Sequence, residues 1–286
     1  MVVLGALVLA LTGAIIVLRA DGFSALDATV PRATRWFVDQ SNGRVVLADG
    51  FSGRALARLD TADNGQVLEV AQSASGVVVV DRSAATARAV DASALRLGPP
   101  QSVGLVAEPS ALVGVSQAGL VTVDRATALA SLLPPGGDAV PFDVEATGSG
   151  SATQIAPDGA VWTIAAGRLS RVTTTGRQDV ASGLSDARFT LVGAKPLVLD
   201  ADRSRVRFDD GDWIDLPAAL PVDELVLQAA GPAAACGWIA ANDELRCVGA
   251  GGFTESVTID GLDVDGGDLL GIAGDAGALV RRSPAE

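Results

Sequence analysis

GVVVVDRSAATARAVD, residues 76–91, decides the fold. Four consecutive valines end on Asp81. A small polar turn follows, and a second apolar run, Ala87 to Asp91, ends on aspartate again. β-branched residues fit a pleated, buried surface, and Asp with small residues favours tight turns. The stretch therefore reads as two short strands joined by a hairpin turn.

The same unit recurs along the chain as an apolar strand, an Asp or small residue, a turn and a further strand. Its copies begin at Trp36-Phe37-Val38-Asp39, Val77 to Asp81, Leu112 to Ser116, Val161 to Ala165, Leu197 to Asp200 and Cys236 to Ala241. The anchor positions 39, 81, 116, 165, 200 and 241 are separated by 42, 35, 49, 35 and 41 residues, a mean of about 40. A period near 40 is that of a four-stranded propeller blade. The expected fold is all-β, a propeller of six to seven four-stranded blades over residues 34–286. Two β-sandwich domains are the alternative. A seventh unit starts at Gly277-Ala278-Leu279-Val280, close to the end at Glu286, and reads as an incomplete last blade.

Residues 2–18, VVLGALVLALTGAIIVL, form an uncharged apolar stretch at the short end of a membrane span. The expected organisation is an uncleaved transmembrane anchor over residues 1–19 and a linker over 20–33, then the propeller. Arg19 and Arg32 follow the span, which by the positive-inside rule points the bulk inward. The cysteine pair points the other way, to an oxidising compartment. The expectation is a single-pass protein of the cytoplasmic membrane with its bulk outside.

Composition limits the chemistry. The chain has no His and no Tyr, which removes Ser-His-Asp catalysis, His-ligated metals and a Tyr nucleophile. The net charge of −13 and the absence of basic runs exclude nucleic acid as a partner. No cofactor or metal site is expected.

Cys236 and Cys247 flank a turn at Ala241-Asn242 on two strands. Their numbers sum to 483, as do those of Ala240 and Asp243, so they read as a cross-hairpin disulfide. Asp39, Asp81 and Asp200 end their apolar strands, read as the second strand of each repeat. Either they form a ring of carboxylates on one loop face, binding a cation or polyol, or they cap their own turns. Ser116, Ala165 and Ala241 interrupt such a ring. Asp209 to Asp212 and Asp263 to Asp268 resemble calcium loops without completing one, and read as acidic turns. Trp36, Trp162 and Trp238 share a strand position and read as packing between blades.

The apolar segment followed by Asp21-Gly22-Phe23-Ser24-Ala25, the Trp36-Phe37-Val38 strand, GVVVVD at 76–81 and the Cys236-Gly237-Trp238…Arg246-Cys247 pair carry a resemblance. They resemble the N-terminal, membrane-anchored propeller region of actinobacterial surface proteins that carry fibronectin type III or Ig-like modules. The resemblance implies a role at the cell envelope and no catalytic residues. The expected function is a non-catalytic surface module that binds or scaffolds a protein or cell-wall glycan while held in the membrane by residues 2–18. The alternative is a carboxylate-dependent glycan-active enzyme of the envelope using a pair such as Asp81 and Asp200.

Overall fold

The computed structural model describes residues 34–49, 52, 54–61, 66–73, 75–104, 110–145, 152–218, 220, 222, 225–228, 236–241, 244–249, 251–258, 269–273 and 276–280. The expected anchor, the linker and Asp263 to Asp268 lie outside them. Among the described residues no helix is long and apolar enough to cross a membrane.

Among the described residues, twenty-six short strands build seven antiparallel sheets in chain order. The first holds β1 (Thr34–Asp39), β2 (Arg44–Asp49) and β3 (Ala55–Asp60). The second holds β4 (Leu68–Ser73), β5 (Gly76–Asp81), β6 (Thr86–Asp91), β7 (Arg96–Leu97) and β8 (Gln101–Ser102). The third holds β9 (Ala111–Ser116), β10 (Gly119–Asp124), β11 (Leu129–Leu133) and β12 (Val140–Asp143). The fourth holds β13 (Thr153–Ile155), β14 (Val161–Ala165), β15 (Arg168–Thr173) and β16 (Gly176–Ala181). The fifth holds β17 (Ala187–Val192), β18 (Lys195–Asp200), β19 (Arg205–Phe208) and β20 (Ile214–Asp215). The sixth holds β21 (Val226–Gln228), β22 (Gly237–Ala241), β23 (Glu244–Gly249) and β24 (Gly252–Thr258). The seventh pairs β25 (Leu269–Ala273) with β26 (Ala276–Val280).

Within each sheet the strands follow chain order, except that β8 pairs with β6 beside β7, and the first strands of neighbouring sheets lie side by side, β1 by β4, β4 by β9, β9 by β13, β17 by β21 and β21 by β25. This is a propeller-like arrangement with the first strand of each blade innermost. Glutamines join neighbouring inner strands. Trp36 N donates to Gln72 Oε1 at 3.1 Å and Gln72 Nε2 donates to Trp36 O at 3.2 Å. Gln154 repeats the clamp on the fifth sheet, with Leu191 N at 3.2 Å and Phe189 O at 3.0 Å.

The run of four valines has a direct cause. A strand between two neighbouring sheets is buried on both faces, and successive side chains alternate between them. Val77 and Val79 pack with Trp36, Val45 and Leu59 of the first sheet. Val78 and Val80 pack with Leu120 and Leu133 of the third. Equivalent apolar clusters fill the interfaces between the third and fourth, fourth and fifth, and fifth and sixth sheets. Each fully buried Leu or Val there contributes about 1.5–3 kcal/mol. Outer strands are polar, as in the exposed Gly176–Asp179 run of β16. Pro99 and Pro100 break the outer edge of the second sheet between β7 and β8, which blunts it against pairing with another chain.

The repeat register differs from the sequence reading in two copies. The anchors at Asp39 and Ser116 end first strands, β1 and β9, whereas those at 81, 165, 200 and 241 end second strands. The structurally equivalent positions are Asp49, Asp81, Asp124, Ala165, Asp200 and Ala241, spaced 32, 43, 41, 35 and 41 apart. First and second strands are both apolar runs ending near a turn, so spacing alone did not separate them.

Five hairpin turns share one geometry. An aspartate stands at the first position and a left-handed residue four places on: Asp39 with Gly43, Asp81 with Ala85, Asp91 with Leu95, Asp124 with Ala128, and Asp200 with Ser204. Their φ values run from 47° to 60°. An L residue costs about 1–2 kcal/mol in that region, against about 0.4–1 kcal/mol of extra chain entropy lost by glycine. Ala128→Gly is therefore expected to stabilise the protein by up to about 1 kcal/mol, read as a raised denaturation midpoint. A lower midpoint would show that the turn holds Ala128 without strain.

Candidate functional site

The topology places the sequence-predicted acids. Inner strands start on the face that carries the connections between sheets, here the loop face. First-to-second-strand turns lie on the opposite face, and second-to-third-strand turns return to the loop face. Asp39 therefore sits on the face opposite Asp81 and Asp200, and the three do not form a ring. Asp39 accepts from Ser41 Oγ at 2.8 Å and from Asn42 Nδ2 at 2.8 Å. The bonds from Asn42 and Ser41 hold its carboxyl below the usual range. Asp81 accepts the amide of Ala84 at 3.0 Å. Asp124, which the sequence reading passed over, is equivalent to Asp81. Ser110 Oγ at 2.6 Å, Thr127 Oγ1 at 2.5 Å and the Ala126 amide at 2.9 Å bind it and lower its pKa. These acids cap turns.

Asp200 is wholly buried. Its Oδ2 accepts from Arg203 Nη1 and Arg205 Nη2, each at 2.8 Å, and Oδ1 accepts the Ser185 amide at 3.3 Å. Burial alone would raise its pKa, and the bonds from Arg203, Arg205 and Ser185 outweigh that and lower it. A carboxylate with no solvent contact and two guanidinium partners cannot serve as acid or base toward a substrate, so the Asp81–Asp200 pair is ruled out.

The same corner carries two exposed carboxylates. Asp186 ends the connection from the fourth sheet and immediately precedes the inner strand β17. It is exposed with φ +45°, and its carbonyl accepts the Ala201 amide at 3.3 Å. Asp202 lies in the short 3-10 turn Ala201–Arg203 after β18 and accepts the Ser185 hydroxyl. Arg188, on β17, donates to Val222 O at 2.7 Å and Leu225 O at 2.9 Å, tying the strand to the next connection. The connection before β17 and the turn after β18 thus both place their carboxylates, Asp186 and Asp202, on the loop face of the fifth sheet. No spacing pattern marks Asp186, so the sequence offered no signal for it.

A second acid–base cluster lies between the third and fourth sheets. Glu145 pairs with Arg168 at 2.7 Å and Arg177 at 2.6 Å, and Arg177 also pairs with Asp179 at 2.8 Å. Burial raises the Glu145 pKa, and the bonds from Arg168 and Arg177 more than reverse it. Its charges are mutually satisfied, which suits a structural seam.

Cys236 and Cys247 are bridged, with Cα atoms 5.8 Å apart. The register differs from that expected: Cys247 stands opposite Trp238 and Ala241 opposite Glu244, so the numbers of paired residues sum to 485. The bridge is diagonal, from the residue before β22 to the middle of β23. Trp36 and Trp162 are buried between sheets. Trp162 and Trp238 share the second strand, but Trp36 is on the first. Asp209 pairs with Lys195 at 2.9 Å, and among the described residues no cluster of three or more His, Cys, Asp or Glu could hold a metal ion.

No family model matches the chain, and no curated protein sequence does. Solved structures do. A streptogramin B lyase superposes with a TM-score of 0.56 at 12% identity, covering 85% of this chain and 84% of that one. Virginiamycin B lyase from Staphylococcus aureus gives 0.51 at 10% identity, over 82% and 83%. A catalytically inactive histidine-to-alanine variant of that lyase, bound to quinupristin, gives 0.50 at 11% identity, over 85% and 78%. At such identities the likeness is one of fold. It corrects the expectation of a non-catalytic module that is not an enzyme, because this architecture, along nearly the same length, is one on which enzymes are built.

Proposed function

We propose that the chain is a carboxylate-dependent enzyme of the cell envelope that cleaves a glycan on its loop face. The observation that carries this reading is the pair of exposed carboxylates, Asp186 and Asp202, that the Ala201 amide–Asp186 carbonyl bond and the Ser185–Asp202 bond hold at one end of the fifth sheet. Two carboxyls are sufficient for glycoside cleavage. One protonates the leaving oxygen, and the other accepts a proton from the attacking water. The substituted histidine of the inactive lyase variant has no counterpart here, since the chain lacks His, so the chemistry proposed is not that lyase's. The apolar stretch 2–18, the Cys236–Cys247 bridge and the resemblance to actinobacterial surface proteins support a location outside the cytoplasmic membrane.

Asp186→Asn and Asp202→Asn are each expected to lower turnover of purified envelope glycan at least about 100-fold, with unchanged thermal midpoints. An Asp186→Asn variant at full rate, or an unaltered protein with no turnover, would remove the reading.

A further inference from the structure

We infer that the groove between the fourth and fifth sheets, running down from Asp202, is the track of an acidic glycan whose carboxylates pair with Arg203 and Arg207. The inference rests on the reading of Asp186 and Asp202 as the cleaving pair, and it names the class of their substrate. A surplus of charge carries it. Arg203, Arg205 and Arg207 follow Asp202 at alternate positions, and among the described residues Asp200 is the one carboxylate that pairs with any of them. Three guanidiniums on one buried anion leave two positive charges, on a chain whose net charge is −13.

Each guanidinium is held in place. Arg203 Nη1 donates to Asp200 Oδ2 at 2.8 Å and to Gly183 O, in the connection that carries Asp186, and 48% of its side chain is exposed. Arg205 is bonded to Asp200 through Nε and Nη2 and stacks on Trp213 at 4.2 Å. Arg207 lies on the same face of β19, about 7 Å further from the loop face. It is 5.1 Å from the same ring. Its Nη2 donates across the groove to Val180 O at 3.3 Å, and its Nε is buried without a partner. Val180 and Trp213 both pack at the interface of the fourth and fifth sheets. Burial, and then the neighbouring Arg205 charge, depress the pKa of Arg207. Asp209 and Asp210 act on it through space without an ion pair, Asp209 being bonded to Lys195. A desolvated guanidinium without a counter-ion is completed by an anion that offers two oxygens in one plane. A carboxylate does so with a single charge, whereas a phosphate dianion is repelled more strongly by Asp202 and Asp210.

Calorimetric titration of Asp186→Asn, in which cleavage is suppressed, tests this with an oligogalacturonate, its methyl ester and a phosphorylated dextran oligomer of the same length. The acid is expected to bind at least about 10-fold more tightly than the ester. Arg207→Gln and Arg203→Gln should each remove most of that difference without changing affinity for the ester. Arg203 is exposed, so its variant reads the track even where Arg207→Gln fails to fold. Equal affinity for acid and ester, a difference that both variants keep, or tighter binding of the phosphorylated oligomer would overturn the inference. The two readings fail separately. Preferential binding of the acid with no turnover by the unaltered protein removes the cleavage and upholds the track. Turnover of acid and ester at one rate, unchanged in both arginine variants, removes the track alone.

Discussion

Asp200→Ala is expected to destabilise the protein by about 3 kcal/mol, lowering the thermal midpoint by roughly 6–12 °C for a domain of this size. Asp200 has no exposed surface, and it is the shared anion of Arg203 and Arg205. Without it, Arg203, whose side chain is 48% exposed, can turn to water. Arg205 is 25% exposed and stacks on Trp213 at 4.2 Å, so it keeps a poorly hydrated charge. That asymmetry puts the loss at the lower end of the range for breaking a buried pair. Asp200→Asn retains volume and one acceptor and should fall between the two. A midpoint within 2 °C of the unaltered protein, a shift of roughly 1 kcal/mol or less, would mean that both guanidiniums find other anions.

The same group predicts a pH dependence. Its folded pKa lies below the ordinary value of 3.8. The folded state therefore holds fewer protons than the unfolded chain between those two values. The stabilisation is complete above the unfolded pKa and is lost as pH falls through the folded one. Acid unfolding below about pH 4 should be shallower in Asp200→Asn than in the unaltered protein.

Strand-rich architecture was legible because its cause is local. A strand buried on both faces must be apolar at every position, and Val77 to Val80 show that directly. Which strand of a blade a run forms was not legible. Trp36-Phe37-Val38-Asp39 and Val77 to Asp81 look alike as text, yet one is innermost and the other second. The error moved Asp39 to the wrong face and hid Asp49 and Asp124. The candidate site was less legible still. Asp186 and Asp202 are 16 apart in sequence and share one end of the fifth sheet only because the connection before β17 is hydrogen-bonded to the turn after β18. Asp200, chosen for its position at a strand end, is instead the buried counter-ion beneath them.

Gly119→Ala is expected to cost more than 3 kcal/mol, and Gly176→Ala about 1–2 kcal/mol, and their difference isolates a steric effect. Both glycines open a strand after a two-residue turn, with φ +137° and +143°. Any L residue there carries a similar backbone penalty. The surroundings differ. A Cβ at Gly176 would meet nothing within 4 Å, because β16 is the exposed outer strand. At Gly119 it would lie 2.2 Å from Leu133 O and 2.8 Å from the Pro134 Cα. Those are backbone atoms of the neighbouring β11 strand and its exit, so no side-chain rotation relieves the overlap. The strand must move, and β10 is buried at all six positions, carrying Leu120 into one interface and Val121 and Val123 into the next. A displacement there loosens both. Chemical denaturation of the two variants side by side checks this. Equal losses would mean that β10 and β11 can part at that end without disturbing either core.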